Sequence, residues 1–340
     1  MIRLSYYVLF CTSSFFLLYA CTKSSSSTST LVGNWLNRFD ADFSSRTEAA
    51  SFTIDDTAYV GTGFDGTSRL NDLWKLTVNG TSFHWTQVAS MPVSAARSNA
   101  VAFGANKKGY IATGLAADGA TRLNDTWQFD PATNSWTQKA NFGGTARYDA
   151  VAFSVNDKGY ITTGYDGNYT KDFWVYDPVA DTWTQKAGFS GFKRKQAVAF
   201  VYKNKAYVCT GVDNTIYPND FWSYDPAADA WTQLKSIANV STDTYDDLYK
   251  IIRANAVAFV MGDKAYVCTG ESGSLFNDVW EYNFSNDTWA QKTNFEAGTR
   301  TGAIGFSIQQ RGFISSGNVS SQEYSDFWEF HPSETYNVND

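Results

Sequence analysis

Histidine is nearly missing from this chain: 340 residues contain two, His84 and His331. A metal centre built on imidazole has almost nothing to work with, and no Cys/His zinc spacing occurs. No Ser-His-Asp arrangement and no glycine-rich phosphate loop is found either. Cysteine is scarce too, with four in all. Only Cys209 and Cys268 lie beyond the N-terminal segment, each in the same "AYVCTG" of neighbouring repeats. A disulfide needs Cα atoms within roughly 7 Å, and equivalent strands of adjacent units stand further apart. Both read as small buried side chains. Basic residues fall short of acidic ones, 27 against 34, giving a net charge of −7. Without a basic stripe, nucleic acid is excluded as a partner. Proline is rare, six against 25 glycines, while aromatics reach 17%. That balance is β-rich rather than disordered.

One long apolar run exists, and it is N-terminal. "YYVLFCTSSFFLLYA" follows Arg3 and is too short for a comfortable membrane span. It ends in "LLYAC", residues 17–21. This resembles a bacterial lipobox, which implies lipidation of Cys21, residues 1–20 as a lipoprotein signal peptide, and residues 21–32 as a lipidated Ser/Thr tether. The membrane is then touched only through the anchor. Thr22 after the cysteine tilts the expectation to a cell-envelope lipoprotein of the outer membrane.

Self-comparison organises the remainder. Six units begin at Arg46, Arg97, Arg147, Arg194, Arg253 and Arg300, as in "RSNAVAF" and "RYDAVAF". Each continues into a second apolar run ending in glycine, then a loop, then Asp-x-Trp on Asp72, Asp125, Asp172, Asp220, Asp278 or Asp326. The period is roughly 50 residues. The first run of each unit is nearly all apolar, as a strand buried on both faces requires. Three places before its Phe stands alanine in every unit (Ala49, Ala100, Ala150, Ala197, Ala256, Ala303). With side chains alternating, one whole face is small, as suits sheets converging on an axis. Short polar turns such as "NDKG" join the first two strands.

Four strands per unit, a glycine-ended second strand and a Tyr/Phe-plus-Trp pattern resemble the kelch repeat. The resemblance covers residues 33 to about 332 and implies an all-β, six-bladed kelch-type β-propeller over residues 33–340, four antiparallel strands per blade. The family's glycine doublet is here Thr-Gly, or Ser-Gly in the sixth unit. That unit stops before its second tryptophan, and "GNWLNRF", residues 33–39, supplies it. The N-terminal strand is therefore expected to close blade six and leave no free edge. All 12 tryptophans are then placed, six on third strands and six on fourth strands, and they read as core.

The kelch resemblance also covers copper-radical oxidases and a bacterial sialic acid mutarotase. The two histidines are too few and too far apart for the copper site, so no metal and no cofactor is expected, and no catalytic residue is assigned. The six arginines are the strongest polar signal. Each precedes an innermost strand, so all six are expected to ring one channel mouth. Either they grip an acidic ligand, or they pair with the six Asp-x-Trp aspartates and stitch neighbouring blades. Loops between second and third strands bring Tyr165, Tyr169, Tyr217 and Tyr324 towards that mouth. The long connection 234–252 is expected to bring Tyr245, Asp246, Asp247 and Tyr249 to the same face, or to be a solvated loop with a one-turn helix. The reading is a monomeric recognition propeller for a glycan or a peptide or protein ligand. A mutarotase-like enzyme and a structural scaffold of an envelope complex are the alternatives.

Overall fold

In the computed structural model, residues 31–339 are described. The expected signal peptide, Cys21 and most of the tether lie outside them. Five sheets of four antiparallel strands, and a sixth whose four blade strands are joined by the short strand Gln322–Glu323, form the six blades of a β-propeller. The innermost strands are Ala50–Ile54, Val101–Ala105, Val151–Val155, Val198–Tyr202, Val257–Met261 and Thr301–Ile308. In blades one to five the chain then steps outward through the second, third and fourth strands. The turn from first to second strand takes two residues. In four blades both have positive φ (Asn106/Lys107, Asn156/Asp157, Lys203/Asn204, Gln309/Gln310), the backbone that a tight right-twisted hairpin demands.

Strand Asn34–Asp40 is the outermost strand of blade six, antiparallel to Asp326–His331, with Trp35 opposite Phe330. Trp35 is fully buried, stacked on Phe330 at 4.5 Å and edge-on to Phe295 at 4.7 Å. Arg38 of the same strand meets the buried Glu329, which Arg311 also holds. The ring is closed by strand pairing, an aromatic sandwich and a buried charge cluster together.

Neighbouring blades interlock through glycine. The Phe52 ring fills the place where a Cβ on Gly109 of the next blade would stand, 2.0 Å away. Phe103 does the same to Gly159, and Phe259 to Gly312. Behind each interlock, first-strand Phe stacks on second-strand Tyr, as in Phe52–Tyr59 at 5.1 Å and Phe153–Tyr160 at 5.1 Å. A second set of links runs around the axis in backbone alone. The glycine ending each second strand donates to the carbonyl of the next unit's arginine: Gly63 to Arg97, Gly114 to Arg147, and so on to Gly317 and Arg46, at 2.6–2.9 Å. The small first-strand face lines the channel, with Ser51, Ala102, Ala152, Ala199, Ala258 and Gly305 around one level. The alanines three before Phe face the axis one level nearer the mouth, where Ala49, Ala100, Ala150, Ala197 and Ala256 line a cavity, and they also pack against the doublet. A Cβ on Gly114 would lie 3.1 Å from the Ala100 Cβ.

Candidate functional site

The geometry of the six arginines decides what remains for a ligand. All six side chains are buried, at most 1% exposed. Five grip their aspartate with both terminal nitrogens, as in Arg46 Nη1–Asp72 Oδ1 and Nη2–Oδ2, both 2.7 Å. Arg194 reaches Asp220 with one nitrogen. Each aspartate also accepts from the indole N–H of its own Asp-x-Trp tryptophan at 2.6–2.9 Å. Each arginine further donates to the carbonyl of the Thr or Ser before the glycine, as Arg97 does to Thr113 at 3.0 Å. Phenylalanine rings cover several guanidiniums, such as Phe43 over Arg46 at 4.8 Å. Burial opposes charge on Asp125, yet the Arg97 hydrogen bonds and charge hold its pKa below the ordinary carboxylate range. The pairs lie inside single blades. The expectation that they stitch neighbours is corrected: partners are 25 to 28 residues apart, within one repeat, because the aspartate opens the third strand of the arginine's own unit. The arginine–aspartate pairs do not join the blades; backbone hydrogen bonds between the glycines and the next unit's arginines do. The arginines' fork donors are taken up by the scaffold.

The mouth is lined instead by the two residues after each arginine. The second of them forms an inner ring: Glu48, Asn99, Asp149, Gln196, Asn255 and Gly302. All six have φ between 54° and 62°, a turn that aims the side chain over the axis. Their amides and carbonyls link hand to hand, Asn99 N to Glu48 O, Asp149 N to Asn99 O, Gln196 N to Asp149 O and Asn255 N to Gln196 O, at 2.9–3.1 Å. The first residue after each arginine bridges the residue after the glycine, giving an outer ring of pairs such as Tyr148 with Tyr165, Lys195 with Val212 and Ala254 with Glu271.

Chemistry concentrates in two places. On blades three and four, Asp149 is 7% exposed. It accepts from Asn99 Nδ2 at 2.8 Å and from Lys195 Nζ at 3.1 Å. The Lys195 ammonium also faces the Tyr148 ring at 5.2 Å and the Tyr165 ring at 5.9 Å. Tyr165 packs edge-on against both Tyr148 and Tyr169, and exposed Arg122 lies over the Tyr165 ring, 5.6 Å from its centre. On the opposite side, Glu48 leans across Gly302 to accept from Asn255 Nδ2 at 2.6 Å. A Cβ on Gly302 would stand 3.0 Å from Glu48 Oε1, so the reach depends on that glycine. Burial and the charge of Asp149 push the Glu48 pKa up to about 7, with Asn255 and Lys195 opposing and Glu271 adding to the rise. Burial also raises Asp149, against the pull of Lys195.

The kelch motif family matches residues 146–190, 193–237 and 252–295, which are blades three, four and five. Three of the six blades thus carry the kelch motif, and the described residues fold as a six-bladed β-propeller. No curated protein matches it. Among solved structures, the one titled "Structure of YjhT" superposes with a TM-score of 0.71 over 85% of this chain and 95% of that one, at 16% identity. At that identity the likeness concerns the fold.

The propeller places the remaining expected residues unevenly. Tyr165 and Tyr169 stand at the mouth. Tyr324 covers the buried Arg300 at 4.5 Å and its carbonyl accepts from the Arg46 amide. Tyr217 is half-buried in the blade-four loop. Connection 234–252 goes elsewhere than expected. Its buried Tyr249 hydroxyl accepts from the Trp289 amide at 2.5 Å on the outermost strand of blade five, and Tyr245 packs on Tyr249. The Asp246 carboxylate is sealed by Val240 N, Ser241 N and Ser241 Oγ of its own loop, beside a 3-10 turn, Thr244–Asp246. Asp247 is exposed on the same loop. Apolar Tyr and Ile side chains in this connection find a hydrophobic seat on blade five, and that fixes the loop there. His84 is exposed on the fourth strand of blade one, and His331 ends the third strand of blade six beside Glu329 and Glu334. Cys209 and Cys268 are free and buried, and burial pushes the Cys209 thiol up to about 12. The inner ring escaped sequence reading. Its signal was the pair after each invariant arginine: Thr-Glu, Ser-Asn, Tyr-Asp, Lys-Gln, Ala-Asn, Thr-Gly.

Proposed function

We propose that this kelch propeller is a recognition module that holds a polar segment of a glycan or peptide at the channel mouth on the strand-entry face. One observation carries the reading. An invariant scaffold of Arg–Asp–Trp triads presents two concentric rings of varied side chains, and the richest arc pairs Tyr148, Tyr165 and Tyr169 with Asp149, Lys195 and Gln196. Aromatic faces beside carboxylates and amides suit sugar rings and extended peptide alike. An anchor at Cys21 would hold the module at the cell envelope, on the strength of the lipobox resemblance. The test is a thermal-shift screen of residues 22–340 against neutral glycans, acidic sugars and short peptides. A compound at 100 times its Kd stabilises by about 2.7 kcal/mol, and Asp149→Asn should abolish that shift. Silence across the panel would count against small-ligand recognition and favour the scaffold reading, which pull-down from envelope extracts would pursue.

Glu48 favours a second reading. A carboxyl that titrates near neutrality can both give and take a proton, as a mutarotase-like enzyme acting on sialic acid would require. Accelerated anomer exchange followed by NMR, lost in Glu48→Gln, would select it. No rate above the buffer blank would set it aside.

A further inference from the structure

The two carboxylates of the mouth are treated differently, and the difference points to a ligand. Asp149 has a resident cation. The Lys195 ammonium sits 3.1 Å from Asp149 Oδ2 and faces two tyrosine rings. Across the axis, Glu48 is given only the neutral Asn255 amide. Among the described residues no lysine, arginine or histidine stands within ion-pair distance of it. The charged groups acting on Glu48 are Asp149, Glu271 and Lys195, three carboxylates in all against one ammonium. A carboxylate in a concave, partly desolvated mouth is costly without a counter-ion. The arginines that would have drawn an anion are consumed in the blades.

Resting on the recognition reading above, we infer that the mouth takes a cationic side-chain head, the ammonium of a lysine in an extended peptide, seated against Glu48 and Asn255 and beside Asp149. Lys195 shows within the same chain how an ammonium is held here, between a carboxylate and aromatic faces. The gap at Gly302 leaves Glu48 free to lean over and meet it. Neutral and acidic counterparts bind less well, the acidic one least, because three carboxylates already share the mouth.

Proton linkage gives the inference a signature. Glu48 carries a proton below about pH 7 and must lose it to pair with the ligand cation. A lysine side chain stays charged to about pH 10. Affinity therefore rises as pH climbs from 6 to 8 and then levels.

The experiment is isothermal titration of residues 22–340, at low salt, with blocked Ala-Lys-Ala and its norleucine and glutamate analogues. The lysine peptide should bind about tenfold tighter than the norleucine peptide at pH 8 (roughly the worth of one partly desolvated charge pair) and more weakly at pH 6. Glu48→Gln, which keeps the shape, should remove both the preference and the pH dependence. Lys195→Met should keep the preference and increase it, since Asp149 is then also uncompensated. Equal binding of lysine and norleucine peptides, or a lysine preference that survives Glu48→Gln, overturns the inference. If neutral glycans bind through Asp149 while the lysine peptide does not, the inference falls and the recognition reading stands. If neither binds, both fall.

Discussion

Threonine replaces the first glycine of the kelch doublet because that position and the next are not equivalent. Thr113 has φ 61°, inside the left-handed region, whereas Gly114 has φ 104° and its Cβ would meet the Ser98 carbonyl at 2.7 Å. A β-branched residue at positive φ is strained by about 1–3 kcal/mol, and the Thr113 hydroxyl, though buried, finds no partner. Thr113→Gly should therefore be neutral or mildly stabilising in chemical denaturation, while Gly114→Thr should cost more than about 3 kcal/mol. Equal losses at both places would refute this account of the doublet. The triads make a sharper claim at the same scale. Arg147→Met leaves Asp172 and the Trp174 indole with no cation in a buried seat, so it should cost about 3–5 kcal/mol. A rim arginine such as Arg122, which is exposed, should cost less than about 1 kcal/mol when replaced.

Closure depends on one seven-residue strand. Deleting residues 31–40 removes Trp35 from between Phe295 and Phe330, exposes the edge of Asp326–His331, and strips Arg38 from Glu329. A sharply lower melting temperature is expected; an unchanged melt would mean the ring is held by something else. Glu329→Gln tests the charge part alone, and about 3–5 kcal/mol of destabilisation is expected there too. The connection 234–252 behaves differently. Its tyrosines serve blade five, so Tyr249→Ala should lower stability without touching ligand binding. At this scale the sequence was highly legible. Repetition exposed every blade, and the missing sixth tryptophan exposed the closing strand. The 234–252 docking was not legible, because an insertion has no counterpart in the other units to compare with. The mouth was hidden for a related reason. A repeat makes constant residues conspicuous, so the eye goes to the arginines, while the residues that differ from unit to unit stand one and two places further on.

For the whole molecule, the mouth is a stability liability as well as a site. The folded-state pKa of Glu48 is raised above 4.5, to about 7, so the folded protein binds this proton more tightly than the unfolded chain. Stability is then lost as pH rises from about 4.5 to about 7 and stays constant beyond, a cost carried for the ionised group. Glu48→Gln should flatten that part of the pH–stability curve and leave the protein more stable at pH 8. An identical curve for variant and parent would show that the mouth does not strain the charge.

The central claim is that recognition belongs to the rings at the mouth and not to the buried arginines. The most direct measurement is the thermal shift of the parent protein and of a Glu48→Gln, Asp149→Asn, Tyr165→Ala triple variant across one panel of neutral glycans, acidic sugars and lysine-bearing peptides. The account predicts at least one compound that raises the parent's melting temperature by a few degrees and leaves the variant's unmoved. A compound that stabilises both equally, or a panel that stabilises neither, would contradict it.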